Sequence, residues 1–214
     1  MTNGARFREA RLRTADGVDL QAEWWEPARE PAAVAVLCHP HPQYGGTMRS
    51  MVISALFAGL HRRVACLRFN FRGVEGSTGE HGEGVTEPRD VQAAVEAAAA
   101  AHPRVPLALI GWSFGADMAL TVDDARVAGW VAIAPPLRFR APADYEAVGA
   151  DARPKLFVLA ANDEFRAPAD VAEAVAGWEN VRVDVVSGAS HFFVGRTDRV
   201  VAVVAEFVRG LGGG

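Results

Sequence analysis

The sequence predicts an α/β fold: a three-layer sandwich in which helices cover both faces of a mostly parallel, twisted sheet of about eight strands. Short apolar, β-branched runs alternate along the chain with helix-compatible segments, which is typical of a parallel sheet buried on both faces. The first two runs are instead joined by "TADG", and Asp-Gly between alternating residues predicts a hairpin. We therefore expect the N-terminal hairpin to be antiparallel and the other strands to be parallel.

The hairpin is predicted over residues 7–13 and 18–25. The later strand-like runs read AVAVLC, VACLRFN, VPLALIG, GWVAIA, PKLFVLA and VRVDVV. The segments predicted as helices cover residues 48–62, 87–101, 114–121, 168–178 and 199–211. The connection at about 135–153 contains prolines and lacks a helical period, so we expect a short lid-like loop and no inserted cap. The whole chain, 1–214, is predicted as one domain.

The composition excludes several classes of protein. A net charge of -4 with scattered arginines argues against a nucleic-acid surface, which usually needs a basic face. No stretch approaches the roughly 18 uncharged apolar residues of a membrane span, and no apolar targeting segment follows the N-terminal charges. Cys38 and Cys66 each end an apolar run, so we expect buried, reduced thiols in a cytoplasmic protein.

The strongest chemical signal is "LALIGWSFGADMAL", where Ser113 stands between Gly111 and Gly115 as a strand gives way to a helix. A serine in such a tight turn has a strained backbone with no room for large neighbours, and glycines on both sides supply the room. The turn lifts the hydroxyl above the sheet edge, and the following helix directs its positive dipole end there. The pattern predicts Ser113 as a nucleophile.

A serine hydroxyl needs a base near neutral pH, and an imidazole can accept and return a proton there. His191 follows the last predicted strand in "SGASHFFVGR", whose small residues allow the loop to reach over the sheet edge. We expect His191 to be the base. Three other histidines lie in polar segments and are expected in solvent: His61, His81 and His102.

The carboxylate that orients the base should follow another strand. Asp163 and Glu164 come directly after "KLFVLA", and Asp163 stands closer to the strand end. Asp163 is therefore predicted as the third member, with Glu164 as the alternative. A carboxylate there would hold the tautomer of the imidazole and stabilise its charged form.

The chain resembles the α/β-hydrolase superfamily in the order of Ser113, Asp163 and His191 and in the motifs "GWSFG", "ANDE" and "SHFF". It is most similar to the small capless bacterial hydrolases of the dienelactone-hydrolase type. Those also carry motifs similar to "HPHPQYGGTM" and "RFNFRGVEGSTG" after the third and fourth strands, although Glu75 stands where glycine is more usual. The resemblance covers nearly the whole chain.

The resemblance implies a serine hydrolase that cleaves an ester or thioester through an acyl-enzyme, without a cofactor. It also implies an oxyanion hole made by the backbone N–H of Phe114 and one from the loop after the third strand. Since Pro40 and Pro42 have no N–H, His41 alone keeps an amide between them, and we expect that amide to be the second donor.

Two other interpretations of the same residues stay open. His39 and His41 have a spacing typical of metal ligands, but a metal site would leave the serine turn without a purpose. The same triad could also serve acyl transfer, cyclase or lyase chemistry.

The expected partner is a small acyl substrate in a cleft walled by Tyr44, Trp112 and Phe192. Arg138 and Arg140 are candidates for contacts with an anionic substrate, although a solvated loop is the preferred interpretation. The sequence names neither the acyl group nor the leaving group. It also leaves the oligomeric state open, a homodimer included.

Overall fold

The computed structural model describes residues 6–60 and 63–212. The strands are β1 (Arg6–Arg13), β2 (Asp19–Glu26), β3 (Ala33–Cys38), β4 (Val64–Phe69), β5 (Leu107–Trp112), β6 (Val127–Ile133), β7 (Lys155–Ala160) and β8 (Val181–Val186). The helices are α1 (Met51–Gly59), α2 (Pro88–Ala101), α3 (Phe114–Ala119), α4 (Glu146–Ala150), α5 (Pro168–Ala174) and α6 (Thr197–Gly210). Short 3-10 turns cover Pro42–Tyr44 and Pro142–Tyr145.

The eight strands form one sheet in the order β1-β2-β4-β3-β5-β6-β7-β8. Every pair from β4 to β8 is parallel, whereas β2 is antiparallel to both of its neighbours. The predicted fold class is confirmed with one refinement. Since β2 is antiparallel to both β1 and β4, β1 points in the same direction as the parallel strands.

Two apolar cores lie on the two faces of the sheet. Along β3, Val34 and Val36 face one core while Ala35 and Leu37 face the other. The first core is closed by α2, α3, α4 and α5, and the second by α1 and α6. Because both faces are covered, each inner strand is apolar at nearly every position, which is why the strands read as continuous runs.

The boundaries of several elements differ from the prediction, and α5 ends at Ala174 instead of residue 178. The first helix begins at Met51 instead of residue 48, after a turn in which the Ser50 amide donates to the Thr47 carbonyl at 2.9 Å and the Met48 amide donates to the Asn70 side chain at 2.7 Å. The predicted end of that helix at residues 61–62, including His61, lies outside the described residues. The segment 135–153 contains a 3-10 turn and α4 where an irregular loop was expected. In the described part of the chain, every helix is too short or too polar to cross a bilayer.

Both cysteines are free and buried, in agreement with the prediction. Burial raises the pKa of the Cys38 and Cys66 thiols far above the ordinary value, so each behaves as a small apolar side chain.

Candidate active site

The candidate site lies where the connections of the sheet change direction. From β3 the chain passes to β4 on one side, and β5 then pairs with β3 on the other side. The residue pair Cys38 and Gly111 aligns the ends of β3 and β5, so the loops that follow these strands start side by side. In an open α/β sheet, a switch point of this kind leaves a crevice at the carboxyl edge.

Ser113 lies in a strained turn between β5 and α3. Its backbone has φ 54° and ψ -120°, a conformation that residues other than glycine rarely adopt. A Cβ at Gly111 would lie 2.2 Å from the Gly115 carbonyl oxygen, and a Cβ at Gly115 would lie 2.3 Å from the Cys38 carbonyl oxygen. Glycine is therefore required on both sides of the serine, once for the turn itself and once for the approach of α3 to β3.

Three polar side chains from distant parts of the chain meet at this turn. His191 Nε2 lies 2.9 Å from Ser113 Oγ, and His191 Nδ1 lies 2.9 Å from Asp163 Oδ2. All three side chains are nearly buried. This hydrogen-bonded chain allows a proton to move from the serine hydroxyl to an imidazole whose other nitrogen faces a carboxylate.

Asp163 is held in its ionised form by its neighbours. Burial by itself would raise the pKa of this carboxyl, but the His191 ring and the amides of Phe165 and Arg166 donate to it, and its pKa falls below the ordinary value. The Asp163 carboxylate thus accepts hydrogen bonds both from backbone amides of its own loop and from the imidazole of His191.

Two further side chains hold the backbone of His191. The His191 amide donates to Glu164 Oε2 at 2.9 Å, and Trp112 Nε1 donates to the His191 carbonyl at 3.3 Å. Glu164, the alternative acid in the sequence prediction, therefore lies against the backbone of the histidine instead of its ring. The sequence prediction offered Asp163 and Glu164 as candidates for one role. It did not foresee that Asp163 would contact the ring of His191 and Glu164 its backbone amide.

The His39 imidazole is a brace between the loops that follow β3 and β4. Its Nε2 accepts the Phe71 amide at 3.0 Å, so its Nδ1 carries the proton and donates to the Pro40 carbonyl at 2.6 Å. The ring is completely buried, and burial lowers the pKa of His39 to about 3. With both nitrogens engaged, His39 offers no lone pair to a metal ion. No group of three or more His, Cys, Asp or Glu side chains suited to a metal ion occurs within residues 6–60 and 63–212.

His41 presents its amide at the start of the 3-10 turn. The carbonyl of His41 accepts the amides of Tyr44 and Gly46, and its ring accepts the Gln43 amide at 3.2 Å. The His41 amide itself has no acceptor among the described residues. Burial, with His81 and Arg138 nearby, lowers the pKa of the His41 ring. Its neighbours are aromatic, with the Phe114 and Phe139 ring centroids at 5.0 and 4.9 Å.

The loop can lie this close to the serine because two glycines permit it. A Cβ at Gly46 would lie 2.1 Å from the Pro40 carbonyl oxygen, so the turn closes only on a glycine. A Cβ at Gly115 would also lie 2.5 Å from the His39 carbonyl oxygen. Phe114 is the first residue of α3, where backbone amides have no acceptor within the helix. The two amides named from the sequence, those of His41 and Phe114, therefore belong to segments in direct contact.

Comparison with known proteins supplies the family. No family model matches the chain. An uncharacterized protein of Rickettsia prowazekii is 30% identical over 187 residues, which cover 83% of this chain and 79% of that protein. An α/β serine hydrolase homologue from Coxiella burnetii is 31% identical over 96% of this chain and 97% of that one, with a TM-score of 0.83. The chain belongs to the α/β serine hydrolases.

A serine hydrolase without a lid from Xanthomonas campestris is also similar. It is 25% identical, with a TM-score of 0.84 over 98% of this chain and 95% of that chain. The superfamily predicted from the sequence is thus confirmed.

A cavity of about 580 Å³ opens beside Ser113 in this α/β serine hydrolase. Its lining is mostly apolar and includes the three side chains predicted as substrate contacts: Tyr44, Trp112 and Phe192. Tyr44 and Phe192 are exposed at the rim, whereas Trp112 is buried beside the imidazole of His191. The cavity is the right size for a small organic substrate.

Several wall residues were missed by the sequence prediction. Met51, Phe139 and Phe165 line the cavity, and the Phe165 ring lies 4.5 Å from the His191 ring. Nothing local distinguishes these residues from core apolar residues, because their role depends on where distant loops meet. Phe114 and Phe193, which flank the site in sequence, are instead fully buried in the two cores.

Two histidines expected in solvent are largely buried. His81 Nδ1 lies 2.9 Å from Glu87 Oε1, and the His81 and His41 ring centroids are 5.1 Å apart, with the rings tilted by 56°. His102 Nε2 lies 3.1 Å from Glu26 Oε2. The expectation was wrong because polar neighbours in sequence did not reveal that both rings face buried or half-buried carboxylates.

Proposed function

We propose that this α/β serine hydrolase cleaves ester or thioester bonds of a small acyl substrate through an acyl-enzyme on Ser113. The observation that carries the proposal is the chain of hydrogen bonds from Ser113 Oγ through His191 to Asp163, each of 2.9 Å. This is the geometry that a serine needs for activation near neutral pH.

In the proposed reaction, His191 Nε2 takes the hydroxyl proton as Ser113 Oγ bonds to the substrate carbonyl carbon. The carboxylate of Asp163 stabilises the imidazolium that forms. The tetrahedral intermediate then expels the alcohol or thiol, which receives that proton, and leaves the acyl group on the serine. A water molecule, deprotonated by the same imidazole, releases the acid and restores the hydroxyl.

The negative oxygen of the intermediate needs donors that are in place beforehand. We assign this role to the backbone amides of His41 and Phe114. The absence of any other described acceptor for the His41 amide supports the assignment, as does the contact between the loop after β3 and the start of α3. Prolines on both sides restrict the backbone of this donor.

The test combines a fluorophosphonate probe with turnover of p-nitrophenyl esters and acyl thioesters of increasing chain length. We expect one labelled serine, and Ser113→Ala should abolish labelling and lower kcat on the order of 10⁵–10⁶-fold. In a structure of the adduct, the phosphoryl oxygen should lie within hydrogen-bond distance of the amides of His41 and Phe114.

A chelator serves as the control, since a serine enzyme keeps its activity when divalent metal ions are removed. Labelling that survives Ser113→Ala, or unchanged turnover in that variant, contradicts the proposed nucleophile.

A further inference from the structure

The cavity wall carries a positively charged side chain and no negatively charged one among the described residues. Arg138 lines the cavity together with Ser113 and His191, and no Asp, Glu or Lys among residues 6–60 and 63–212 lines it. The carboxylate of Asp163 lies behind His191 and is not part of the wall. The protein as a whole has a net charge of -4, so this positive wall is a local feature.

The Arg138 guanidinium has no hydrogen-bond or ion-pair partner in the described part of the chain. Two other arginines of the same region, Arg140 and Arg166, do have such partners. Arg140 pairs with Asp144 at 3.0 Å, and Arg166 donates to the Pro136 and Leu137 carbonyls at 2.8 and 3.3 Å. A cation free of carboxylates beside a catalytic serine is available to a ligand.

The backbone that carries Arg138 is clamped from two sides. Buried Asp117 accepts the amides of Leu137, Arg138 and Phe139 at 2.9, 2.9 and 3.1 Å. Arg166 holds the carbonyls of this segment from the loop after β7. Leu137 has φ 49°, a left-handed conformation that persists in a non-glycine residue only when its surroundings enforce it.

Aromatic rings guide the side chain itself. The guanidinium carbon lies 5.2 Å from the Phe139 ring centroid and 5.8 Å from that of Phe165, within the range of cation–π contacts. Asp170 and Glu173 line an adjoining groove that also includes Arg138, but neither lines the cavity beside Ser113. The arginine is thus fixed at its base, supported along the wall and unpaired at its tip.

We infer that Arg138 binds a carboxylate on the substrate, so that the hydrolase selects esters or thioesters carrying an acid group away from the scissile bond. The inference rests on the proposed function, since it names the substrate class of the same site. A single guanidinium matches the charge and the two oxygens of a carboxylate. A phosphate monoester carries nearly twice that charge and would need further donors, which this apolar lining does not provide.

The test compares p-nitrophenyl hexanoate with mono-p-nitrophenyl adipate, in which a carboxylate replaces the terminal methyl group of the same acyl chain. The ratio of kcat/KM for adipate over hexanoate is measured for the wild type, Arg138→Gln, Arg138→Lys and Arg104→Gln, with spontaneous hydrolysis subtracted. Arg104 is a matched control because its side chain is 87% exposed in the loop between α2 and β5, at the opposite edge of the sheet.

The wild type should prefer the adipate ester, and its preference should weaken at high salt. Arg138→Gln should lower the ratio about tenfold, a modest figure because the guanidinium is exposed. Arg138→Lys should retain part of the preference, and Arg104→Gln should match the wild type.

A ratio below one in the wild type, or a ratio that Arg138→Gln leaves unchanged, overturns the inference while hexanoate turnover that depends on Ser113 still supports the proposed function. Failure to hydrolyse either ester in a Ser113-dependent way overturns both.

Discussion

His39 shows how much the role of one residue depends on which atoms it contacts. In the sequence, His39 and His41 share the spacing of metal ligands, and only the distances distinguish a ligand from a brace. With Nε2 accepting the Phe71 amide and Nδ1 donating to the Pro40 carbonyl, the ring ties two loops of the site together as a neutral group. Protonation would place an unpaired donor against the Phe71 amide in the protein interior.

This neutrality predicts a dependence of stability on pH. Burial lowers the pKa of folded His39 to about 3 from the ordinary 6.5. Between these values the unfolded chain binds more protons, so the free energy of unfolding rises with pH by up to about 1.4 kcal/mol per pH unit. His39→Gln should be less stable than the wild type at neutral pH but should lack this slope.

Urea unfolding of both proteins at several pH values between 3 and 6.5 checks the prediction, because all other titrating groups are shared. The difference in stability should narrow as the pH falls. A constant difference would show that folded His39 titrates like the unfolded residue.

At the scale of elements, the site is a junction between the start of α3 and the ends of β3 and β5. Gly115 is the contact point, with no space for a Cβ between α3 and the carbonyls of Cys38 and His39. The same contact brings together the two amides that we propose as oxyanion donors. The close packing of α3 at Gly115 therefore also sets the distance between the two proposed donor amides.

Gly115→Ala should push α3 away from the loop after β3. A displacement of about 1 Å between groups that act together costs roughly 10²-fold in rate, and we expect a loss of that order in kcat. The measurement is kcat with p-nitrophenyl hexanoate, with circular dichroism to confirm the fold. Gly210→Ala is the control, because this last residue of α6 has no atom within 4 Å of the added Cβ. Equal activity of the two variants would contradict a role for this contact.

At the scale of the whole molecule, an ion pair joins the N-terminal hairpin to the parallel sheet. Glu23 of β2 is 2% exposed, and its carboxylate accepts from Arg68 of β4 at 2.7 Å and also pairs with Arg49. Removing one partner of such a pair leaves the other charge buried and unpaired.

Glu23→Gln should therefore lower the free energy of unfolding by about 3–5 kcal/mol. Asp19→Asn offers the same chemical change on the same strand, but the Asp19–Arg13 pair is exposed and should cost less than about 1 kcal/mol. Urea unfolding at one pH and salt concentration compares the two. Similar small losses would mean that the buried ion pair of Glu23 contributes little to holding the hairpin on the sheet.

The prediction from sequence was most accurate for features that depend on residues close together in the chain. Runs of six to eight residues were enough to predict the sheet, the order of its elements and the strained serine turn, because each run shows its pattern without reference to distant residues. The predicted roles of Ser113, Asp163 and His191 also came from local signals, namely a serine between two glycines at a strand end and polar residues in the loops that follow predicted strands.

Prediction was poorest where a contact joins distant segments. The lining residues Phe139 and Phe165, the contact of Glu164 with the His191 amide and the burial of His81 depend on distances that no local pattern contains. The sequence "FGADMAL" did carry one unused signal, since a carboxylate inside an apolar helix start has to be satisfied by distant donors. Asp117 is that carboxylate, and it clamps the segment of Arg138.

The amino-acid sequence alone is enough to predict the fold class, the superfamily and the positions of the candidate catalytic side chains along the chain, because period, turn chemistry and glycine placement act between near neighbours. Tertiary contacts are needed to show which of these side chains meet, which nitrogen of His39 carries its proton, and that Arg138 on the cavity wall has no partner among the described residues. Those facts depend on how loops from different strands converge at one edge of the sheet, and that convergence is a property of the packed chain.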